Sequence, residues 1–346
     1  MQWLEQPQIK WAVPIPLLIA VAPLVWAFFR HTWRALDEEA FIYRRALHER
    51  GEVDYRPLAA LTLGALVLIL QEYYGRGDTY TDMIRPWLER LERAHPGGFV
   101  DLGLYDELYL RAWWAFTRVG GYLLPLAVWP LLFRRDSLLD FGLRPAGFRE
   151  HAWIYALCVF FMVPILLAVS RQGDFINYYP LYKQAGRSWL DYLVWEAMYL
   201  AQFITLEIFF RGWWIRATRV FGVGAIWSMV VPYCMIHFGK PYFEACGAMV
   251  AGVILGSLSM RTRSIYAGFL VHSTVAVLMD VISLYRRNGL PTLLTPTSTR
   301  HITFLHWTAL IWVTWVLASA VLATKGWHVW KDRRARQAAP EPRPVT

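Results

Sequence analysis

The stretch that decides the fold runs from Leu193 to Phe210 and reads LVWEAMYLAQFITLEIFF. At about 1.5 Å of rise per residue, a helix of this length covers most of a hydrocarbon core about 30 Å thick. Other stretches are equally apolar, and 56% of all residues are hydrophobic against 18% charged. One soluble core of 346 residues cannot bury that much apolar surface. The sequence therefore predicts an all-α fold, a polytopic transmembrane helical bundle.

Nine apolar runs approach the length of a membrane span, which predicts about 8–9 spans. The second and sixth runs are short, so eight spans with a re-entrant or interfacial helix is an alternative to nine. The runs are roughly Trp11 to Phe29, Leu58 to Tyr74, Ala112 to Phe133, Ala152 to Ser170, Leu193 to Phe210, Ala225 to His237, Phe243 to Met260, Ile265 to Tyr285 and Trp307 to Ala323.

Two polar stretches separate the early runs, Arg30 to Pro57 and Gly75 to Arg111. Both mix charges with aromatic residues, which favours helices that lie along the membrane interface as scaffold or substrate-gating elements. The chain then divides into three parts. Residues 1–150 hold transmembrane and interfacial helices, residues 151–325 form a core of spans, and residues 326–346 are a basic, Pro-rich tail.

The distribution of basic residues predicts the orientation. With nine spans, more Lys and Arg fall in the cytoplasmic connections when the N-terminus is outside and the C-terminus inside. Eight spans would reverse the N-terminus. Retention of Lys and Arg on the cytoplasmic side also explains the net charge of +9. The expected partner is therefore the lipid bilayer, and binding to nucleic acid is not expected. The three cysteines show no CxxC spacing, which indicates core residues rather than a disulfide framework or a thiolate metal site.

Ionisable residues inside membrane spans are costly and indicate a functional site. An intramembrane His can equally bridge two helices, and the carboxylate at 280 can simply pair with Arg286 or Arg287. The positions that stand out are Glu207, His237, His272 and Asp280.

The spacing of two of these residues predicts that they lie at the same depth of the membrane. If the fifth run continues to about Phe221 and turns through Gly222 and Gly224, it forms a helical hairpin with the sixth run. Glu207 lies 15 residues before Gly222, and His237 lies 15 residues after it. Both therefore reach about 20 Å from the turn, at the same depth of the membrane.

His272 falls near the middle of the eighth run, and Asp280 follows on nearly the same helical face. In the seventh run, Gly252 and Gly256 form a GxxxG pattern, which predicts close approach of helix backbones at about the level of His272. That approach can serve packing alone or a site, and the sequence leaves both open.

Three motifs resemble those of the CPBP, or CAAX-protease-like, family. Leu206 to Gly212, LEIFFRG, resembles its first motif, usually E-E-x-x-x-R followed by Gly. Tyr233 to Phe238, YCMIHF, resembles the second motif, an aromatic residue followed by three residues and His. Ser264 to His272 resembles the third. The order is that of the family, and the likeness covers about Leu193 to Asp280.

The resemblance implies a bacterial inner-membrane endopeptidase that cleaves a membrane-anchored protein or peptide. Glu207 would activate a water, and His237 and His272 would bind the water or the oxyanion. Arg211 and Asp280 would support them, Arg211 as a structural residue paired with Glu207 and nearby backbone carbonyls. No cofactor is expected, and the alternative is zinc held by Glu207, His237 and His272.

Two departures from the family pattern leave the activity open. The first Glu of the family motif corresponds to Leu206, and the Asn or Asp usually found after the last His corresponds to Ala276. One interpretation is an enzyme that works with Glu207 alone, with Asp280 in the lost polar role. The other is a non-catalytic membrane scaffold or binding protein.

Overall fold

The computed structural model describes the backbone of residues 12–144 and 148–299. Side chains are described for residues 12–144 and 153–299. All regular elements in this part of the chain are helices. The ninth run and the basic tail lie outside the described residues. The main helices are α1 (Pro14–Glu49), α2 (Arg56–Tyr74), α3 (Arg85–Ala94), α4 (Leu102–Leu132), α5 (Phe148–Val169), α6 (Trp189–Glu207), α7 (Gly224–Met235), α8 (Tyr242–Thr262) and α9 (Tyr266–Arg286).

Six helices in the described ranges are long and apolar enough to cross a membrane. They are α1, α2, α4, α8, α9 and the continuous stretch Trp189–Ala217 that begins with α6. Two shorter apolar helices, Trp153–Val169 within α5 and Gly224–Met235, correspond to the fourth and sixth predicted runs. The prediction of a polytopic helical bundle is confirmed, and the protein is embedded in a membrane.

The first polar stretch differs from its prediction. Instead of a separate interfacial helix from Arg30, α1 continues without interruption to Glu49 and has 36 residues. No Gly or Pro occurs between Arg30 and Glu49, so nothing stops the helical hydrogen bonds before Gly51, whose φ is +66°. At about 54 Å, α1 is longer than the hydrocarbon core and extends beyond it.

The second polar stretch is shared between short helices and a long one. Helical segments at Gly77–Thr79 and Tyr80–Ile84 lead into α3. The side chain of Asp101 then caps α4 by accepting a hydrogen bond of 2.9 Å from the amide of Leu104. The residues from Leu102 to Arg111 therefore belong to a spanning helix rather than to an interfacial one.

The predicted hairpin between the fifth and sixth runs is present. Beyond α6 the helix widens into a π-helical turn at Ile208–Trp214 and ends near Ala217. Gly222 makes the turn with φ at +61°, and a Cβ there would lie 2.2 Å from Oδ1 of Asp37 in α1. The same Asp37 oxygen accepts a hydrogen bond of 2.8 Å from the amide of Val223, which fixes the start of α7.

Tight packing surrounds this hairpin. Helix α6 contacts α4 and α9, and α7 contacts α8. The GxxxG glycines of α8 face α7: a Cβ at Gly252 would lie 3.1 Å from the ring of Tyr233, and one at Gly256 3.0 Å from Met229. Four buried aromatic side chains hold the π turn in the largest apolar cluster. They are Phe209, Phe210, Trp213 and Trp214.

Candidate active site

Glu207 is the last residue of α6 and is completely buried. Its Oε1 atom lies 3.1 Å from Nδ1 of His272 and 3.3 Å from Nη1 of Arg211. Its Oε2 atom is buried without a hydrogen-bond partner among the described residues. The two oxygens of one carboxylate therefore differ: one is held by two neighbours, and the other is unengaged.

His272 reaches Glu207 from α9, with a side chain 15% exposed. With the Glu207 oxygen as acceptor, Nδ1 of His272 carries the proton and donates a hydrogen bond to Oε1. The ring packs at 4.3 Å between centroids against Phe203, one turn before Glu207 on α6. In the neutral imidazole, Nε2 is then left with a free lone pair.

His237 lies two residues beyond the end of α7 and is 5% exposed. Its Nδ1 donates a hydrogen bond of 2.7 Å to the carbonyl of Tyr233, which again leaves the Nε2 lone pair free. The Tyr233 ring is centred 4.7 Å from the His237 ring and 6.4 Å from that of His272. The structure brings Glu207 and His272 into contact, with His237 one aromatic ring away.

Arg211 lies one turn beyond Glu207 in the π turn and is completely buried. It pairs with Glu207, as the sequence predicts. Its second neighbour is the ring of Tyr233, whose centroid lies 3.9 Å from the guanidinium carbon. The prediction that Arg211 also bonds backbone carbonyls is wrong, because its side chain makes no hydrogen bond to a carbonyl within the described ranges.

Asp280 lies eight residues beyond His272 on α9, about 12 Å along the helix. It is completely buried, and its Oδ2 accepts a hydrogen bond of 2.7 Å from Nε1 of Trp195 on α6. The alternative of pairing with Arg286 or Arg287 is wrong. Arg286 donates to Ser170 Oγ, and Arg287 donates to the carbonyl of Tyr179.

Sequence reasoning did not single out Glu196, which is 5% exposed in α6. Its carboxylate is close enough to Asp280 for the two charges to interact. The signal was in the sequence, because Glu196 is an acidic residue inside the fifth apolar run and lies three turns before Glu207. The described part of the bundle thus contains buried carboxylates at Glu196 and Asp280 as well as at Glu207.

The two positions that depart from the family pattern are both apolar core. Leu206 is 3% exposed and packs in the cluster around the π turn. Ala276 is 3% exposed and packs with Tyr192, Trp195 and Tyr199. Leu206 and Ala276 therefore pack in the apolar core at the positions where the family usually carries polar groups.

Comparison with known families gives one match. A family model described as type II CAAX prenyl endopeptidase Rce1-like matches residues 188–278. This segment is CAAX-protease-like. The match starts at Ser188, the N-cap of α6, and ends in α9, so it contains Glu207, Arg211, His237 and His272 but not Asp280. No curated protein and no solved structure matches the chain.

The CAAX-protease-like segment meets only part of what zinc requires. Both imidazoles present a free Nε2 and donate from Nδ1, as zinc-bound histidines do. A catalytic zinc needs a third protein ligand. Glu207 is the candidate, but its carboxylate already pairs with the Arg211 cation. Within the described residues, no group of three or more His, Cys, Asp and Glu side chains can hold a metal. The arrangement does not fit a three-ligand zinc site.

A cavity of about 550 Å³ opens at the connection between α7 and α8. Its wall begins at Phe238, the residue after His237, and follows the turn from α7 into α8. Asp174 and Tyr178, from the connection between α5 and α6, also line the cavity. The cavity is large enough for side chains of a peptide, and Glu207, His237 and His272 do not line it.

Proposed function

We propose that this protein is an intramembrane endopeptidase that hydrolyses a membrane-anchored protein or peptide with a water activated by Glu207. The observation that carries the proposal is the contact of 3.1 Å between Glu207 and His272, inside helices of a CAAX-protease-like segment. Burial of a carboxylate is costly unless the carboxylate is paired with another group. A buried carboxylate in contact with an imidazole is typical of sites of acid–base chemistry.

In this proposal each side chain has a separate task. The free lone pair of one imidazole, at His237 Nε2 or His272 Nε2, accepts a hydrogen bond from one O–H of the water, and the other O–H donates to Oε2 of Glu207. Oε2 of Glu207 takes one proton from it, and the remaining hydroxide bonds to the scissile carbonyl carbon. When the tetrahedral intermediate collapses, the carbon–nitrogen bond breaks and Glu207 returns the proton to the leaving amine. No covalent enzyme intermediate forms.

Arg211 supports the charge balance of these steps. As Glu207 accepts the proton its negative charge disappears, while a negative charge develops on the substrate oxygen. The buried cation beside Oε1 remains in place and stabilises negative charge in a region of low dielectric constant. Because the residues fit a zinc site poorly, the proposal contains no metal.

A second candidate is a non-catalytic membrane scaffold or binding protein on the same helices. The observation that favours it is Leu206, which fills with an apolar core side chain the position where the family usually carries its first Glu. This candidate predicts that no substrate is cleaved by the wild-type protein.

Comparative membrane proteomics separates the two candidates. Cells carrying Glu207→Gln should accumulate an uncleaved membrane protein that wild-type cells process, because Gln keeps the size of the side chain but accepts no proton. Glu72→Gln, at an exposed position of α2, is the matched control and should resemble wild type.

The purified proteins and that substrate then give the decisive measurement. Turnover by Glu207→Gln should fall by about a hundredfold or more per folded molecule. If wild type cleaves nothing and Leu206→Glu creates cleavage, the enzyme proposal is wrong and the scaffold candidate stands.

A further inference from the structure

Gly268 of α9 lies one turn before His272 and faces the unengaged oxygen of Glu207. A Cβ at this position would lie 2.8 Å from Oε2 and 3.6 Å from Cδ of Glu207. A methyl group and a carboxylate oxygen do not approach to 2.8 Å, so an alanine here must displace the carboxylate or separate α9 from α6.

The carboxylate has little freedom to move away. Its other oxygen is held by Nδ1 of His272 at 3.1 Å and by Nη1 of Arg211 at 3.3 Å. The side chain is also completely buried among its neighbours. Relief of the clash would therefore rotate Oε2 or break one of the two contacts of Oε1.

The geometry points to Gly268 as a positioning residue, whose missing side chain keeps Oε2 of Glu207 free and correctly directed for proton transfer. The inference rests on the proposed function, in which Oε2 takes the proton from water. Gly268 touches no substrate in this arrangement and acts through Glu207 alone. Glycine is less favourable than alanine inside a helix, so a substitution by alanine would stabilise α9 if the carboxylate were absent.

The test compares Gly268→Ala with a glycine that has open space around it. A Cβ at Gly247 of α8 would meet no side chain and no neighbouring helix within 4 Å, so Gly247→Ala is the matched control. With the membrane substrate identified through Glu207→Gln, Gly268→Ala should lower kcat at least about tenfold and leave KM within about threefold. Gly247→Ala should stay within about twofold of wild type for both constants.

A double variant distinguishes positioning from simple helix packing. Glu207→Asp withdraws the carboxylate by one methylene, so adding Gly268→Ala to it should lower kcat by less than about threefold. If Gly268→Ala folds poorly, the same double variant should recover the folded yield, because the clash partner has been shortened. Failure to recover it would assign Gly268 to packing and overturn the inference.

The outcomes also separate this inference from the proposed function. The role of Gly268 is overturned if Gly268→Ala stays within about twofold of wild-type activity while Glu207→Gln is inactive. It is also overturned if the losses of kcat from Glu207→Asp and Gly268→Ala multiply in the double variant. Wild-type activity in Glu207→Gln instead overturns the proposed function, and the role of Gly268 with it.

Discussion

Glu207 and Arg211 form an ion pair in which both side chains are completely buried. Removing one member of such a pair leaves the other charge without compensation in a medium of low dielectric constant. The cost of that charge exceeds the value of an ordinary surface pair. At the scale of single residues, the stability of the site and its proposed chemistry therefore depend on the same atoms.

Arg211→Ala should lower the free energy of unfolding in detergent by about 3 kcal/mol, together with the folded yield. The variant loses the partner of Glu207 and the packing of the guanidinium on Tyr233. Arg263→Ala is the control, since its pair with Glu39 is exposed, and it should change stability by less than about 1 kcal/mol. Lost cleavage with unchanged melting would instead assign Arg211 to the chemistry.

Glu207→Gln tests the same pair from the other side. Because Gln leaves the Arg211 cation buried and unpaired, its melting temperature should fall below that of wild type. Adding Arg211→Met should recover part of the loss, since neither charge then remains. Turnover comparisons must therefore be made per folded molecule.

At the scale of elements, one hydrogen bond joins α6 to α9 away from Glu207. Asp280→Asn keeps an acceptor for Trp195 Nε1 and should melt within a few degrees of wild type, with cleavage unchanged. Asp280→Ala leaves the buried indole N–H without an acceptor and should lose about 1–3 kcal/mol. Thermal melting and turnover of both variants check this. Lost cleavage in well-folded Asp280→Asn would place the carboxylate in the catalytic set.

A clamp formed by Arg56, Asp136 and Trp129 joins the start of α2 to the connection after α4. The Arg56 guanidinium donates two hydrogen bonds to Asp136, at 2.8 and 2.6 Å, and Trp129 Nε1 donates a third at 3.0 Å. These bonds from Arg56 hold the pKa of Asp136 below its usual value of 3.8, against the opposing effect of partial burial. The clamp therefore stabilises the fold only while Asp136 is ionised.

The sign of this shift fixes a pH dependence. The stabilisation is fully present above pH 3.8, the unfolded value, and is lost as the pH falls through the lower folded pKa. Asp136→Asn should cost about 1 kcal/mol near neutral pH, since the pair is partly exposed, and the difference from wild type should shrink in strong acid. Melting in detergent across pH measures it. Asp140→Asn, in an exposed pair with Arg144, should show a smaller difference at every pH.

At the scale of the whole molecule, the helix connections gather at two opposite polar ends. Arg56 donates to Asp136 at one end. At the other end the backbone amide of Lys183 donates to Glu107, and its Nζ atom donates to the carbonyl of Pro180. The distribution of Lys and Arg predicts that the first of these ends is cytoplasmic.

Single cysteines test this orientation after Cys158, Cys234 and Cys246 have been replaced. With the N-terminus outside, His95→Cys should react with a membrane-impermeant maleimide on intact cells. Arg135→Cys should react only after permeabilisation. Both positions are exposed, so access depends on the side of the membrane. The opposite labelling pattern would reverse the predicted topology and place the C-terminus outside.

The sequence by itself determined the six long apolar helices of the described residues and the hairpin that carries Glu207. In a bilayer every backbone group must be satisfied within its own segment, so a long apolar run is sufficient to specify a helix. The turn at Gly222 likewise follows from local backbone freedom, and the family motifs already contained Glu207, His237 and His272. The prediction of a separate interfacial helix after Arg30 is wrong, because a polar stretch without Gly or Pro remains a good helix when its start is already fixed.

Only the tertiary structure decided which side chains meet. It paired Arg211 with the Tyr233 ring instead of carbonyls, gave Asp280 to Trp195 instead of an arginine, and set Gly268 against Oε2 of Glu207. These contacts depend on the rotation and register of α6, α7 and α9 about their own axes. Close packing at small residues fixes that rotation across the bundle, and no local sequence pattern encodes it.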